Sequence, residues 1–324
     1  MPQSPVSPRV LSRRSAVGGL GVAALLAGAA PVLAAVDAMS WERRVVSYRR
    51  PGATTAADDR VEVEVLLRGA GPLVLLLPSL GRGAEDFDDL TQRLARAGFR
   101  TAAVNPRGIG RSRGAAAMSP SLADYVEDVA QVIVSLTGPD CGGRGAPVPI
   151  IGHAYGNRLA RAVASQRPEL VSALVLLAAG GQVAMKPEVA RALLGVFDPA
   201  LSPAEHLQAV RTAFFAPGND PQVWRDGWYA AVAADQRKAL AGAGADTWTS
   251  GGTAPIFIVQ AADDAVAPPA NAQALKAQHP DRVEIAVVDH AGHAMLPEQP
   301  ERLAGLVIGA LRRMPGSACV APGR

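Results

Sequence analysis

Cysteine is nearly absent: the 324 residues hold two, Cys141 and Cys319. That is too few for a cysteine-based metal site, and the pair lies too far apart for a redox Cys-x-x-Cys motif. In an oxidising compartment they either bond to each other or stay as separate thiols, and neither has a catalytic neighbour in sequence. An excess of one charge is missing too. The formal +3 is carried by Arg9, Arg13 and Arg14 in the first 34 residues, which hold no acid; beyond them 29 basic residues face 29 acidic ones. So balanced a body gives no electrostatic footprint for nucleic acid or an anionic membrane. Internal repeats and charge runs are absent. The Ala/Gly/Leu run from Ala16 to Ala30 is short and glycine-rich for a membrane span.

That run makes sense together with its flanks. Ser12-Arg13-Arg14-Ser15 precedes it, and Pro31 with Val32-Leu33-Ala34 follows, the charged, apolar, small-residue order of an export signal. The arginine pair resembles the twin-arginine type, with Ala16 and Val17 where that motif has a bulky apolar pair, so ordinary secretion stays open. Residues 1–34 are expected to be this signal and the mature chain to be periplasmic or secreted, without stable membrane association after cleavage. An uncleaved anchor is the alternative.

Hydrophobic residues, 49% of the chain, supply ample core material. After a lead-in over 35–59, which holds a first strand at Arg44 to Tyr48, Val61 to Leu67 alternates as an edge strand should. Leu73 to Leu77 is a continuous apolar run, expected of a strand buried on both faces. A helix at Ala84 to Ala97, a strand at Thr101 to Val104, a helix at Ser121 to Leu136, a strand at Val148 to Ile151, a helix at Asn157 to Gln166 and a strand at Val171 to Leu177 follow. Such alternation predicts an α/β fold, a doubly wound and mostly parallel sheet with right-handed crossovers. It stops at Gly180-Gly181 and resumes with the strand Pro255 to Val259. The intervening residues 181–250 read as a helical lid inserted after the sixth strand, with helices opening at Pro187, Pro203 and Pro221, the last running to Leu240. Seven of the chain's 14 aromatics lie there. Most are expected to pack the insertion's own small core, with Trp224 and Trp228 as candidates for lining a ligand site. Residues 60–180 and 251–313 then form the core, and 314–324 a flexible tail.

Four motifs stand at strand ends. Pro78-Ser79-Leu80-Gly81-Arg82-Gly83 follows the third strand, and Asn105-Pro106-Arg107-Gly108-Ile109-Gly110-Arg111-Ser112 the fourth. Gly152-His153-Ala154-Tyr155-Gly156 follows the fifth. Last come Asp264, within Ala261 to Pro268 after the seventh strand, and His293, within Ala291-Gly292-His293 before the last helix. In this order they resemble the α/β-hydrolase superfamily of esterases, epoxide hydrolases and dehalogenases, over roughly residues 60–313. The resemblance implies that Asp264 is the catalytic acid and His293 the base. It implies that the backbone N–H groups of Leu80 and Tyr155 form an oxyanion hole, and that Arg107 organises its loop. His290 competes with His293, whose Gly-His setting is the better match; Asp263 reads as a solvated turn residue and His153 as structural.

The departure lies in the middle of the third motif. The superfamily's Gly-x-Ser-x-Gly becomes Gly-His-Ala-Tyr-Gly, and Ala154 has no hydroxyl with which to form an acyl-enzyme. Two readings stay open: His293 and Asp264 act as a general base on a small apolar ester, lactone or carbonyl compound, or the chain is an inactive homologue that binds an apolar small molecule. Ser79, on the oxyanion loop, is a candidate to line the site and a remote candidate for a displaced nucleophile. Neither a metal nor an organic cofactor is implied.

Overall fold

Leu73–Leu77 forms a strand whose every side chain is buried: Leu73, Leu75 and Leu77 pack on one face of the sheet, Val74 and Leu76 on the other. This two-sided burial sets the architecture seen in a computed structural model, which describes residues 40–50, 60–114, 119–138 and 142–314. The expected export signal, Cys141, Cys319 and residues 315–324 lie outside these. The described residues belong to a single compact unit, Ala38–Arg324.

Eight strands, β1 (Glu42–Arg49), β2 (Arg60–Arg68), β3 (Leu73–Leu77), β4 (Arg100–Val104), β5 (Val148–His153), β6 (Val171–Leu177), β7 (Ile256–Ala261) and β8 (Val283–Val288), form one sheet in the order β1-β2-β4-β3-β5-β6-β7-β8. Only β2 runs against its neighbours. The helices are α1 (Asp88–Arg96), α2 (Leu122–Thr137), α3 (Tyr155–Gln166), α4 (Pro187–Gly195), α5 (Pro203–Phe214), α6 (Ala230–Ala241), α7 (Ala270–Gln278), α8 (Met295–Glu298) and α9 (Pro300–Arg313). Apolar residues of α2, α3 and α7 cover one face of the sheet, and those of α1 and α9 the other. Such cover on both faces is what a parallel sheet needs.

Two expectations need correction. Val61 to Leu67 is not an edge strand: β1 pairs with it along its whole length and β4 lies on its other side. Its polar positions face an ion network rather than water. Glu64 is buried and accepts hydrogen bonds from Asn105 Nδ2 (3.0 Å) and from the Arg111 backbone N–H (3.2 Å) and Nε (3.0 Å). The helix expected from Pro221 to Leu240 is broken into a short 3-10 turn, Pro221–Trp224, and α6. Gly227 between them has φ +88°, and nearby backbone groups are engaged by the loop after β3. Arg82 Nη1 donates to the Asp226 carbonyl (2.7 Å) and the Tyr229 N–H to the Gly81 carbonyl (2.9 Å). Local helix propensity gives way to these long-range contacts.

Candidate active site

Between β5 and α3 the chain turns on a single residue. Ala154 has φ 51° and ψ −108°, a conformation that residues with a side chain avoid and that costs about 1–3 kcal/mol. Its flanking glycines are sterically required. A Cβ on Gly152 would overlap the Gly156 carbonyl oxygen and come within 2.6 Å of Asn157, while one on Gly156 would overlap the Leu77 carbonyl oxygen. The turn is braced by the Ala154 N–H donating to the Leu177 carbonyl (3.0 Å) and Asn157 Nδ2 to the Ala178 carbonyl (3.0 Å).

The turns after β7 and β8 bring Asp264 and His293 together. His293 Nδ1 is 3.0 Å from each Asp264 carboxylate oxygen, and both side chains are buried. The Ala267 N–H also donates to Asp264 Oδ1 (2.7 Å), fixing the carboxylate. Asp263 and His290, the neighbouring alternatives, are both exposed. His153 supports this pair from below, its ring centroid 5.4 Å from that of His293 and its Nε2 donating to the His293 carbonyl oxygen (2.8 Å). Burial, reinforced by the neighbouring His293, pushes its pKa down to about 3, so the ring stays neutral. Its Nδ1 is left buried without a partner.

Glu298, which the sequence presents only as part of the opening of the last helix, turns out to be the strut of the His293 loop. Oε2 accepts from the Gly292 N–H (2.7 Å), and Oε1 from the Ala216 N–H (2.7 Å) and Asn219 Nδ2 (2.6 Å). Desolvation raises its pKa against those bonds. No motif identifies this residue in advance, because two of its three partners lie about 80 positions away in the insertion.

Ser79, Leu80, Ala154, Tyr155 and His293 line one cavity of about 180 Å³. The insertion supplies another wall with Met185, Leu193, Phe214, Arg237 and Leu240. Among the described residues, neither the Leu80 nor the Tyr155 N–H has a protein acceptor. Trp224 and Trp228 do not line the cavity, contrary to expectation. Trp224 is 4% exposed, inside the insertion's aromatic core with Phe197 and Phe214, and Trp228 packs against the same cluster because Arg82 stacks on both indoles at 4.6 and 4.5 Å. Trp228 faces instead a larger open recess, about 640 Å³, that shares no residue with the His293 cavity. Two lining residues escaped the sequence reading: Arg158, on α3, and Arg237, on α6. Arg107, by contrast, has the expected structural part, bound to Asp128 through Nε (2.8 Å) and Nη2 (2.9 Å). Among the described residues no group of His, Cys, Asp and Glu is arranged to hold a metal ion.

The sheet order, the glycine-flanked turn after β5 and the residues placed after β7 and β8 define an α/β-hydrolase. Within that fold the chain belongs to the family described as serine aminopeptidase, S33 (Hydrolase_4), which it matches over residues 70–300. It is 29% identical over 246 residues to the "Putative carbamate hydrolase RutD" of Variovorax paradoxus, covering 69% of this chain and 85% of that one. In fold it is similar to a thermophilic esterase from Thermogutta terrifontis, with a TM-score of 0.65 at 20% identity over 84% of this chain and 98% of that one. An esterase from Exiguobacterium antarcticum gives the same TM-score at 19% identity, covering 79% and 97%. Membership of that family places the chain among hydrolases.

Proposed function

We propose that the chain hydrolyses a small ester, lactone or related carbonyl compound by general-base catalysis, without an acyl-enzyme. The observation that carries this reading is the contact of His293 Nδ1 with both oxygens of Asp264 at 3.0 Å, beside a cavity shared with Ala154. Asp264 holds the imidazole with Nδ1 protonated, leaving Nε2 free to accept a proton. A water standing where a serine hydroxyl would be gives its proton to Nε2 and attacks the carbonyl carbon. The Leu80 and Tyr155 N–H groups receive the developing oxyanion, and His293 then returns the proton to the departing oxygen. Ala154 is the nucleophile position, its methyl leaving room for the water. Residues 181–250 act as the lid, and the arginine-led sequence of residues 1–34 supports export.

Magnitudes set what to expect. Loss of a serine nucleophile costs on the order of a millionfold, whereas an oxyanion hole with binding retains roughly a thousandfold over water. Wild-type protein should therefore hydrolyse activated short-chain esters or lactones slowly, and His293→Ala should lower that rate by about 10²–10⁴-fold. Steady-state kinetics beside Ala154→Ser decide the matter. An inert wild type whose serine variant gains ester hydrolysis would make the chain a binding homologue instead. Covalent labelling of the wild type by a fluorophosphonate would redirect attention to Ser79.

A further inference from the structure

The cavity wall described above is mostly apolar, yet it carries two guanidinium groups and no carboxylate. Arg158 lies on α3, four residues after Ala154, and Arg237 on α6 in the insertion. Both are half-buried. Among the described residues neither has an ion pair or a hydrogen bond; their only polar-group contacts are with rings, Arg158 5.5 Å from the Trp248 centroid and Arg237 5.4 Å from that of Phe197. Arg237 Nη1 is buried with no partner at all. In the same chain Arg107 is paired with Asp128 and Arg82 with Asp86.

Behind Arg158, Arg161 is almost fully buried and also lacks a carboxylate. Its Nη1 donates to the Thr249 carbonyl (3.3 Å) and its Nη2 to Asn157 Oδ1 (2.9 Å) and the Gly180 carbonyl (2.8 Å), while its Nε is buried without a partner. Desolvation, with Arg158 nearby, pulls its pKa down to about 9, so it remains charged at neutral pH, and desolvation lowers Arg158 as well. The acid nearest the chemistry, Asp264, is 3% exposed and committed to His293 and the Ala267 N–H. Burying unpaired charge is unfavourable unless something else supplies the counter-charge.

We propose that a carboxylate on the substrate supplies it: the cavity takes a small acyl compound that also bears a carboxylate, held by Arg158 and Arg237 while its reacting carbonyl faces the Leu80 and Tyr155 amides. This rests on the cavity being the substrate site, and it replaces a wholly apolar ligand with one that is apolar in the middle and anionic at one end. Guanidinium groups suit the purpose because their planar fork matches a carboxylate in two parallel hydrogen bonds.

The test measures binding rather than turnover, so that it stands apart from the catalytic reading. Monomethyl glutarate, which keeps one carboxylate, and dimethyl glutarate, which has none, are titrated calorimetrically into His293→Ala protein. The half-ester should bind at least about tenfold tighter than the diester. Adding Arg158→Gln and Arg237→Gln together should abolish the preference, and Arg→Lys at both sites should restore part of it. Because only ring contacts and no ion pair or hydrogen bond are lost, the glutamine variants should melt within a few degrees of their parent, which guards against a folding artefact. Equal binding of the two probes, no binding of either, or a preference that survives the double substitution would overturn the proposal. Loss of turnover in His293→Ala with the preference intact separates this idea from the catalytic one.

Discussion

His153 illustrates what one buried residue does for its neighbours. Its ring links the strand end of β5 to the carbonyl of His293, so it sets the height of the loop that carries His293. The neutral form is required, and this has a consequence for acid stability. The unfolded chain binds a proton here below about pH 6.5, whereas the folded chain does so only near pH 3. Between those values the unfolded state holds more protons, so folding stability falls as the pH drops through this window. His153→Phe should remove that contribution, flattening the loss of unfolding free energy from pH 6.5 to 4.5 relative to wild type, by up to about 1.4 kcal/mol for each pH unit, as read from denaturant melts at each pH. Parallel pH profiles of the two proteins would show the residue to be irrelevant. The pairing of Asp264 with His293 in space was legible because both stand just beyond strand ends in motifs of fixed spacing. Glu298, Arg158 and Arg237 were not, because they lie on helices where only tertiary packing decides which side chains turn inward.

At the scale of elements, β3 and β6 were legible with their observed bounds, because continuous apolar runs bounded by turn residues allow little else. The insertion was legible as helical but not in its breaks. Its attachment is uneven: Gln236 Oε1 on α6 accepts from the Gly81 N–H (2.8 Å), and the Phe214 carbonyl at the end of α5 accepts from the Ala294 N–H (2.8 Å). By contrast α4 buries only Val189 within its length. Hydrogen exchange should therefore be fastest in α4 among the three insertion helices, and slower in α5 and α6. Exchange mass spectrometry showing equal protection across the three would contradict this. Gly292, where an added Cβ would come within 2.6 Å of the Phe214 carbonyl oxygen, marks a close crossing between the insertion and the His293 loop.

For the molecule as a whole, these attachments bear on cooperativity. The aromatic cluster of the insertion includes Ala294 from the His293 loop, and Leu80 and Val266 pack against it from loops of the sheet. Residues 181–250 thus share a core with the sheet's loops instead of closing on themselves. A single calorimetric unfolding transition, with equal calorimetric and van't Hoff enthalpies, is the expected result for residues 35–324. Two resolved transitions would mean that the insertion melts on its own. The overall architecture was legible because alternating strands and helices restrict a chain to few topologies. What joins the parts was not, since contacts between Arg82 and the indoles of Trp224 and Trp228 leave no periodic trace in sequence.

The backbone at Ala154 keeps its strained angles although the side chain there can neither attack nor donate. Any serine arriving at this position would find its turn already built. An alanine codon can become a serine codon by one base change, so Ala154→Ser is a single point mutation, and a laboratory selection for ester hydrolysis should find it early.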